Sequence, residues 1–164
     1  MRYRFVLLLA VAMVALLTVA APAAEASTPK WDLLTAINKT RRAHGLKRVF
    51  VDPSLRTVAQ RHTNDMLWRS YFAHTSPTGS TLYTRVARSS FLRWGQWWAG
   101  ETLAWGWGTR SGAKATVKAW LNSPEHRAIL LSPTYRWVGI GRNCGSYLGH
   151  PDACVWTADF VTRW

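Results

Sequence analysis

Two histidines and one glutamate are the residues whose types and surroundings most favour chemistry. Glu101 stands alone among the tryptophans and glycines of residues 97–108. A carboxylate in such apolar surroundings must be hydrogen-bonded, paired with a cation or partly protonated. His74 follows an aromatic pair and opens a Ser/Thr/Pro loop, and His126 lies at a helix start in Ser-Pro-Glu-His-Arg. Functional groups are often found on loops. We therefore expect a cleft around these three side chains.

Two kinds of chemistry are compatible with these residues. In a metal site, His74 and His126 would be ligands of zinc or another divalent ion, and Glu101 would orient them or bind through a water. In a hydrolase of peptide or glycosidic bonds, His74, Glu101 and His126 would be catalytic, with Glu125 as a second carboxyl group. The chain has no Gly-x-Ser-x-Gly nucleophile motif. Both hypotheses remain open on these residues alone.

The tryptophans near Glu101 divide into two predicted groups. Trp94, Trp97 and Trp98 precede the glutamate and are candidates for a ligand-binding surface, because aromatic rings can stack on a ligand. Trp105 and Trp107 follow it and are predicted to belong to the core.

Residues 1–26 have the three parts of a secretory signal peptide, which are two arginines, an apolar run and Ala-Glu-Ala at 24–26. We predict that they are removed and that residues 27–164 form one secreted, monomeric domain without a transmembrane segment. Removal takes two arginines and one glutamate from a formal charge of +13, which leaves +12. This charge favours an anionic cell-envelope polymer, glycan or lipid as partner. Nucleic acid is disfavoured, since no ordered motif for it is present.

The elements that must position these residues can be read from periodicity and capping signals. Cys144 and Cys154 are expected to form a disulfide in an oxidising compartment, closing a loop over 145–153. Asp52 and Pro53 are a typical N-cap and first helical residue. Helices are predicted over 31–44, 53–70, 81–88, 113–121 and 123–131, and strands over 137–143 and 155–161, joined as a hairpin by the disulfide loop.

Four motifs occur in order: Phe-Ala-His-Thr-Ser-Pro at 72–77, Gly-Glu-Thr-Leu-Ala-Trp-Gly at 100–106, the segment 117–130 and Val-Gly-Ile-Gly at 138–141. In order and spacing they resemble the CAP superfamily (the SCP domain), in its bacterial secreted branch. The resemblance covers the chain from roughly Leu33 to the C-terminus.

The resemblance implies an α+β fold, a three-layer α-β-α sandwich with a central antiparallel sheet and an open cleft. His74 matches the first family histidine, Glu101 the glutamate that follows a glycine, and His126 the second histidine. Several members bind zinc or another divalent ion there. A fourth family residue, a glutamate, falls on Ser123, while Glu125 stands where bacterial relatives usually have glycine. Because members include lipid binders, glycan binders and a few proteases, the fold does not give the function.

Overall fold

The computed structural model describes residues 28–92 and 95–164 of the chain. These residues contain five α-helices, one short 3-10 helix and four strands. The predicted signal peptide, residues 1–26, and Trp94 lie outside the described residues. The elements are α1 Pro29–Ala43, β1 Phe50–Val51, α2 Pro53–Trp68, α3 Leu82–Ala87, β2 Trp97–Gly106, the 3-10 helix Gly108–Ser111, α4 Ala113–Asn122, α5 Pro124–Leu130, β3 Trp137–Tyr147 and β4 His150–Arg163.

The predicted helices are confirmed to within two residues at their ends. The start of α2 shows the reason, because Asp52 accepts hydrogen bonds from the Ser54 and Leu55 amides, at 2.8 and 3.1 Å, and Pro53 occupies the first helical position. Capping satisfies amide groups that have no partner within the helix, so the sequence locates such a helix start well.

The four strands form one sheet in the order β1-β3-β4-β2. β4 pairs antiparallel with both β2 and β3. The two-residue β1 pairs parallel with β3 and adds a parallel edge to the expected antiparallel sheet. Core residues of α1, α4 and α5 pack on one face, and residues of α2 and α3 pack on the other. The α-β-α sandwich is therefore observed.

Strand β2 covers the tryptophan-rich run to which the sequence assigned no element. Its odd-numbered residues face α2 and α3, since Ala99 and Leu103 lie in clusters with residues of those helices. Glu101 is in the middle of this row, with Trp97 and Trp105 at its ends. Because helices cover both faces, apolar residues occur on both sides of the strand and the alternation expected of a half-exposed strand is weak.

The disulfide prediction is confirmed, but the expected loop is wrong. Cys144 and Cys154 are bonded and directly opposite each other on β3 and β4. Both strands continue past them to a tight turn at Leu148 and Gly149, which have φ angles of 47° and 83°. The disulfide therefore joins two paired strands within the hairpin.

Two glycines of β3 let α2 lie directly on the sheet. A Cβ atom at Gly139 would overlap the Leu55 carbonyl group, and one at Gly141 would overlap the side chain of Thr63. The Thr63 hydroxyl also donates a hydrogen bond to Thr157 of β4 at 2.8 Å. This close approach fixes the height of α2 above the sheet.

We expect Gly139→Ala to destabilise the fold by about 1–3 kcal/mol, because the methyl group must push α2 away from β3. The free energy of unfolding in urea measures this loss. Gly145→Ala is the matched control, since its Cβ would have its nearest neighbour at 3.6 Å, an ordinary contact. Equal losses in the two variants would show that close helix packing is not the cause.

Candidate functional site

The predicted histidines and glutamate meet in a cleft of about 320 Å³ at the edge strand β2. Glu101 comes from β2, His74 from the loop between α2 and α3, and His126 from α5. The remaining lining residues come from the same elements and from α3: Thr75, Thr81, Leu82, Tyr83, Ala99, Gly100, Glu125 and Ile129. The cleft predicted from the sequence thus exists, and helices from both layers border it.

Glu101 is the buried centre of the site, with 4 % of its surface exposed. Its Oε1 accepts a hydrogen bond from His74 Nδ1 at 2.7 Å, and its Oε2 accepts one from an Arg85 guanidinium nitrogen at 2.6 Å. Burial by itself would raise the pKa of Glu101, but the His74 hydrogen bond and the Arg85 charge outweigh it and lower the pKa. Glu101 is therefore a carboxylate with both oxygens engaged.

His74 and His126 face each other across the mouth of the cleft, with ring centroids 6.1 Å apart. A carboxylate can only accept, so His74 Nδ1 carries the proton in its bond to Glu101 and Nε2 is the nitrogen outside that bond. Burial and the neighbouring His74 lower the pKa of His126. A neutral His126 and the Nε2 atom of His74 are therefore the nitrogen atoms that could bind a cation here.

Arg85 on α3 is a site residue that sequence reasoning missed. Besides Glu101, its guanidinium group donates hydrogen bonds to the carbonyl oxygens of His74 and Ser80, at 3.1 and 2.9 Å. It therefore neutralises the buried carboxylate and holds the His74 loop. Nothing in the Tyr-Thr-Arg stretch of α3 distinguishes Arg85 from a surface arginine, so only the tertiary contact reveals this role.

His62 on α2 contacts the loop that carries His74 and lies close to Glu101. Its Nε2 lies 3.1 Å from the Ala73 carbonyl oxygen, to which it donates, and 3.8 Å from Glu101 Oε2. Burial lowers the pKa of His62 despite the nearby carboxylate, so the ring is neutral. His62 is therefore a buried supporting histidine, and its bond to Ala73 positions the residue before His74.

Asp159 on β4 is a second buried acid, directly opposite Glu101 in the sheet. If Asp159 were ionised, neither oxygen would have a hydrogen-bond donor among the described residues. Burial, then the negative charge of Glu101 and a hydrogen bond with it, raise the pKa of Asp159 well above its ordinary value. This shift favours the protonated form, in which Asp159 can donate a hydrogen bond to Glu101. A lone acid within the apolar strand 155–161 was the available sequence signal.

The donor set for a metal ion in this cleft is small. In residues 28–92 and 95–164 no group of three or more His, Cys, Asp or Glu side chains is arranged to hold a metal. Glu101 is already committed to His74 and Arg85, which leaves the two imidazoles. A hydrogen bond that the far nitrogen of a ligating histidine donates to a carboxylate is the usual support in metal sites. These residues fit an open two-histidine site rather than a closed one.

Comparison with known proteins identifies the family. The model of the CAP family, described as the cysteine-rich secretory protein family, matches residues 34–160. The chain belongs to the CAP family. The resemblance that four short motifs indicated thus extends over nearly the whole described domain.

Three bacterial relatives illustrate the similarity. The chain spans about half the length of the first and less than half the length of the second. The chain is 30 % identical over 146 residues to the uncharacterized protein YkwD of Bacillus subtilis (strain 168), covering 89 % of this chain and 51 % of YkwD. An extracellular SCP-domain protein of Bacillus anthracis str. Ames is 29 % identical with a TM-score of 0.66, covering 82 % and 40 %. An outer surface protein of Borrelia burgdorferi, 23 % identical, shares the fold with a TM-score of 0.68, covering 84 % and 97 %.

Of the other predicted site residues that the structure describes, Glu125 lines the cleft, whereas Trp97 and Trp98 are not among the lining residues. Glu125 is exposed in the first turn of α5 and lines the cleft. Trp98 is 55 % exposed, whereas Trp97 is half-buried against Tyr83 with ring centroids 5.2 Å apart. Trp107, predicted to be core, is instead 38 % exposed and stacked on His150.

We expect Asp159→Asn to become increasingly stable relative to the wild type as pH rises. An aspartate whose pKa is raised by folding contributes stability below its unfolded pKa, near 4, and loses it as pH rises toward the folded pKa. The asparagine variant lacks this loss, so the difference in unfolding free energy should grow by up to about 1.4 kcal/mol per pH unit.

Urea unfolding from pH 4 to pH 9 measures this difference. Asp152→Asn, an exposed position on the same strand, serves as control and should give a difference that does not change with pH. A pH-independent difference for Asp159→Asn would mean that Asp159 is ionised in the folded protein.

Proposed function

We propose that this CAP-domain protein is an extracellular binding protein that holds an anionic envelope polymer on its basic surface and a divalent cation between His74 and His126. The observation that carries the proposal is the state of Glu101. Both of its oxygens are bound by donors within the protein, and its pKa is lowered. Such a carboxylate orients and neutralises its neighbours rather than exchanging protons with a substrate.

The same geometry disfavours the hydrolase that the residues also allowed. A glycosidase acid needs a raised pKa at a position that substrate can reach, as does a general acid in other hydrolases. Glu101 has the opposite shift, and Asp159, whose pKa is raised, is fully buried beneath it. Among the described residues of the cleft, no serine or threonine hydroxyl group bonds to His74 or His126 as an activated nucleophile would.

A divalent cation fits the cleft because of how His74 is held. Its Nδ1 is bound to Glu101, so Nε2 is the nitrogen left to bind a metal, opposite a neutral His126. Zinc accepts imidazole ligands and tolerates open positions. A bound cation would supply a positive charge at the mouth of the cleft, where it could attract an anionic group of the partner. Water or that partner would complete the coordination.

An extracellular location is supported by two observations, the similar structures and the disulfide. The matched structures include an extracellular protein of Bacillus anthracis and an outer surface protein of Borrelia burgdorferi. The disulfide between Cys144 and Cys154 is stable in an oxidising compartment. None of the helices in the described ranges has both the length and the apolar character needed to cross a bilayer.

We expect the purified protein to bind about one zinc ion, and His74→Ala or His126→Ala to weaken binding at least about tenfold, since each removes one of two nitrogen ligands. Calorimetric titration with zinc measures the affinity. His44→Ala is the control, because His44 is exposed at the end of α1 and far along the chain from the cleft residues. Equal weakening by His44→Ala would place the metal elsewhere, and a wild type that binds no zinc would remove the cation from the proposal.

We expect the protein to sediment with isolated cell walls at low salt and to be released at high salt, because salt screens the attraction between opposite charges. Acidic and neutral lipid vesicles tested in parallel would show whether lipid is the partner instead. Absence of binding to walls and vesicles at low salt would contradict the proposed function. Binding that salt does not weaken would show that charge is not its basis.

A further inference from the structure

A second cavity, separate from the histidine cleft, lies between α2 and α3. Its volume is about 520 Å³, within the range of small-molecule sites. Its walls are the first half of α2 and the segment 85–90, which ends α3. The lining contains three arginines, Arg61, Arg85 and Arg88, and no acidic residue.

The positive charges of this cavity are poorly compensated. In the part of the chain that the structure describes, no carboxylate pairs with Arg61 or Arg88, and neither guanidinium group donates a hydrogen bond. Arg85 is paired with Glu101 through one terminal nitrogen, but its Nε is buried with no acceptor among the described residues. An oxyanion in the cavity would pair with Arg61 and Arg88 and offset the repulsion among the three positive charges.

The neutral groups of the cavity are mostly engaged within the protein. Asp52 caps the amides of Ser54 and Leu55, so the start of α2 adds no free amide at these positions. The Ser54 and Ser90 hydroxyl groups are hydrogen-bonded to each other at 2.6 Å and hold α2 to the turn after α3. Recognition therefore falls to the three arginines, on walls that this bond holds in place.

The chemistry of three guanidinium groups favours phosphate. The free guanidinium groups of Arg61 and Arg88 can each donate two parallel hydrogen bonds, which matches pairs of phosphate oxygens, and the charge of Arg85 adds to the attraction. The volume of the cavity leaves room for the groups on either side of a phosphodiester.

We propose that this cavity binds a phosphate group, through Arg61, Arg85 and Arg88, and that in the envelope this phosphate belongs to the anionic polymer. The second part rests on the proposed function, whereas the phosphate site itself does not. Arg85 connects the two regions, because its other nitrogens hold Glu101 and the His74 loop. A polymer bound at the arginines would therefore pass beside the histidine cleft.

The test is a titration of the purified protein with inorganic phosphate and with dimethyl phosphate, followed by NMR chemical shifts at constant ionic strength. We expect saturable shifts in residues 54–61 and 85–90, and a double variant Arg61→Gln/Arg88→Gln that binds at least about tenfold more weakly. The matched control is Arg42→Gln/Lys118→Gln, which removes the same charge from exposed positions on α1 and α4. It should change the affinity by less than about twofold, since those residues do not line the cavity.

Each outcome has a defined meaning. Equal weakening by both double variants, or shifts spread over the whole basic surface, would overturn the site in favour of general charge attraction. If Arg61→Gln/Arg88→Gln does not give the NMR spectrum of a folded protein, Arg61→Lys/Arg88→Lys is tested instead. The lysine variant keeps the charge but removes the bidentate geometry, so it should still weaken binding. No binding of either phosphate by the wild type would also overturn the proposal.

A second arm identifies the source of the phosphate. Poly(glycerol phosphate) and phosphatidylglycerol vesicles are compared for binding to the wild type and to the two double variants. Weaker binding of the polymer by Arg61→Gln/Arg88→Gln alone supports both parts of the proposal. Binding of small phosphates without binding of the polymer would leave the site intact and contradict the proposed function. Binding of vesicles but not polymer would assign the phosphate to lipid and overturn the polymer part.

Discussion

A single buried negative charge organises the functional half of this domain. The Glu101 carboxylate has lost its water and must be stabilised by the protein, since an isolated buried charge is strongly unfavourable. His74, Arg85 and the protonated form of Asp159 supply that stabilisation from a loop, a helix and the neighbouring strand. The need to stabilise this one buried charge therefore holds together the segments that surround the cleft. The orientation of His74 toward solvent follows from it.

That arrangement depends on how closely the layers approach the sheet. Gly139 and Gly141 leave no side chain under α2, so the helix lies low enough for His62 to support the His74 loop. On the opposite face, buried Arg41 of α1 donates hydrogen bonds to carbonyl oxygens of residues 47, 130, 132 and 135. It thereby ties α1 to the end of α5 and the segment before β3. Close backbone packing therefore sets the position of α2, and the hydrogen bonds of Arg41 set the position of α1.

The two candidate binding regions differ in whether their charges are balanced within the protein. In the histidine cleft, positive and negative groups are matched, and nitrogen atoms of His74 and His126 could bind a cation. In the arginine cavity, three positive groups converge without an acid among the lining residues. Arg85 belongs to both, since its terminal nitrogens bond to Glu101 and the His74 loop and its side chain also lines the arginine cavity. An envelope polymer and a cation could therefore be held side by side by one short helix.

The sequence by itself determined the helices, the disulfide partners, the family and four residues of the cleft. Caps, periodicity and ordered motifs are local signals, and Asp52-Pro53 shows how two adjacent residues suffice to place a helix start. Tertiary structure alone decided the roles of Arg85 and the pairing of Asp159 with Glu101. An arginine on a short helix looks the same whether it faces water or a buried acid. The pairing of β2 with β4 places Glu101 and Asp159, 58 positions apart, next to each other. Neither segment contains a local sequence signal that predicts this register.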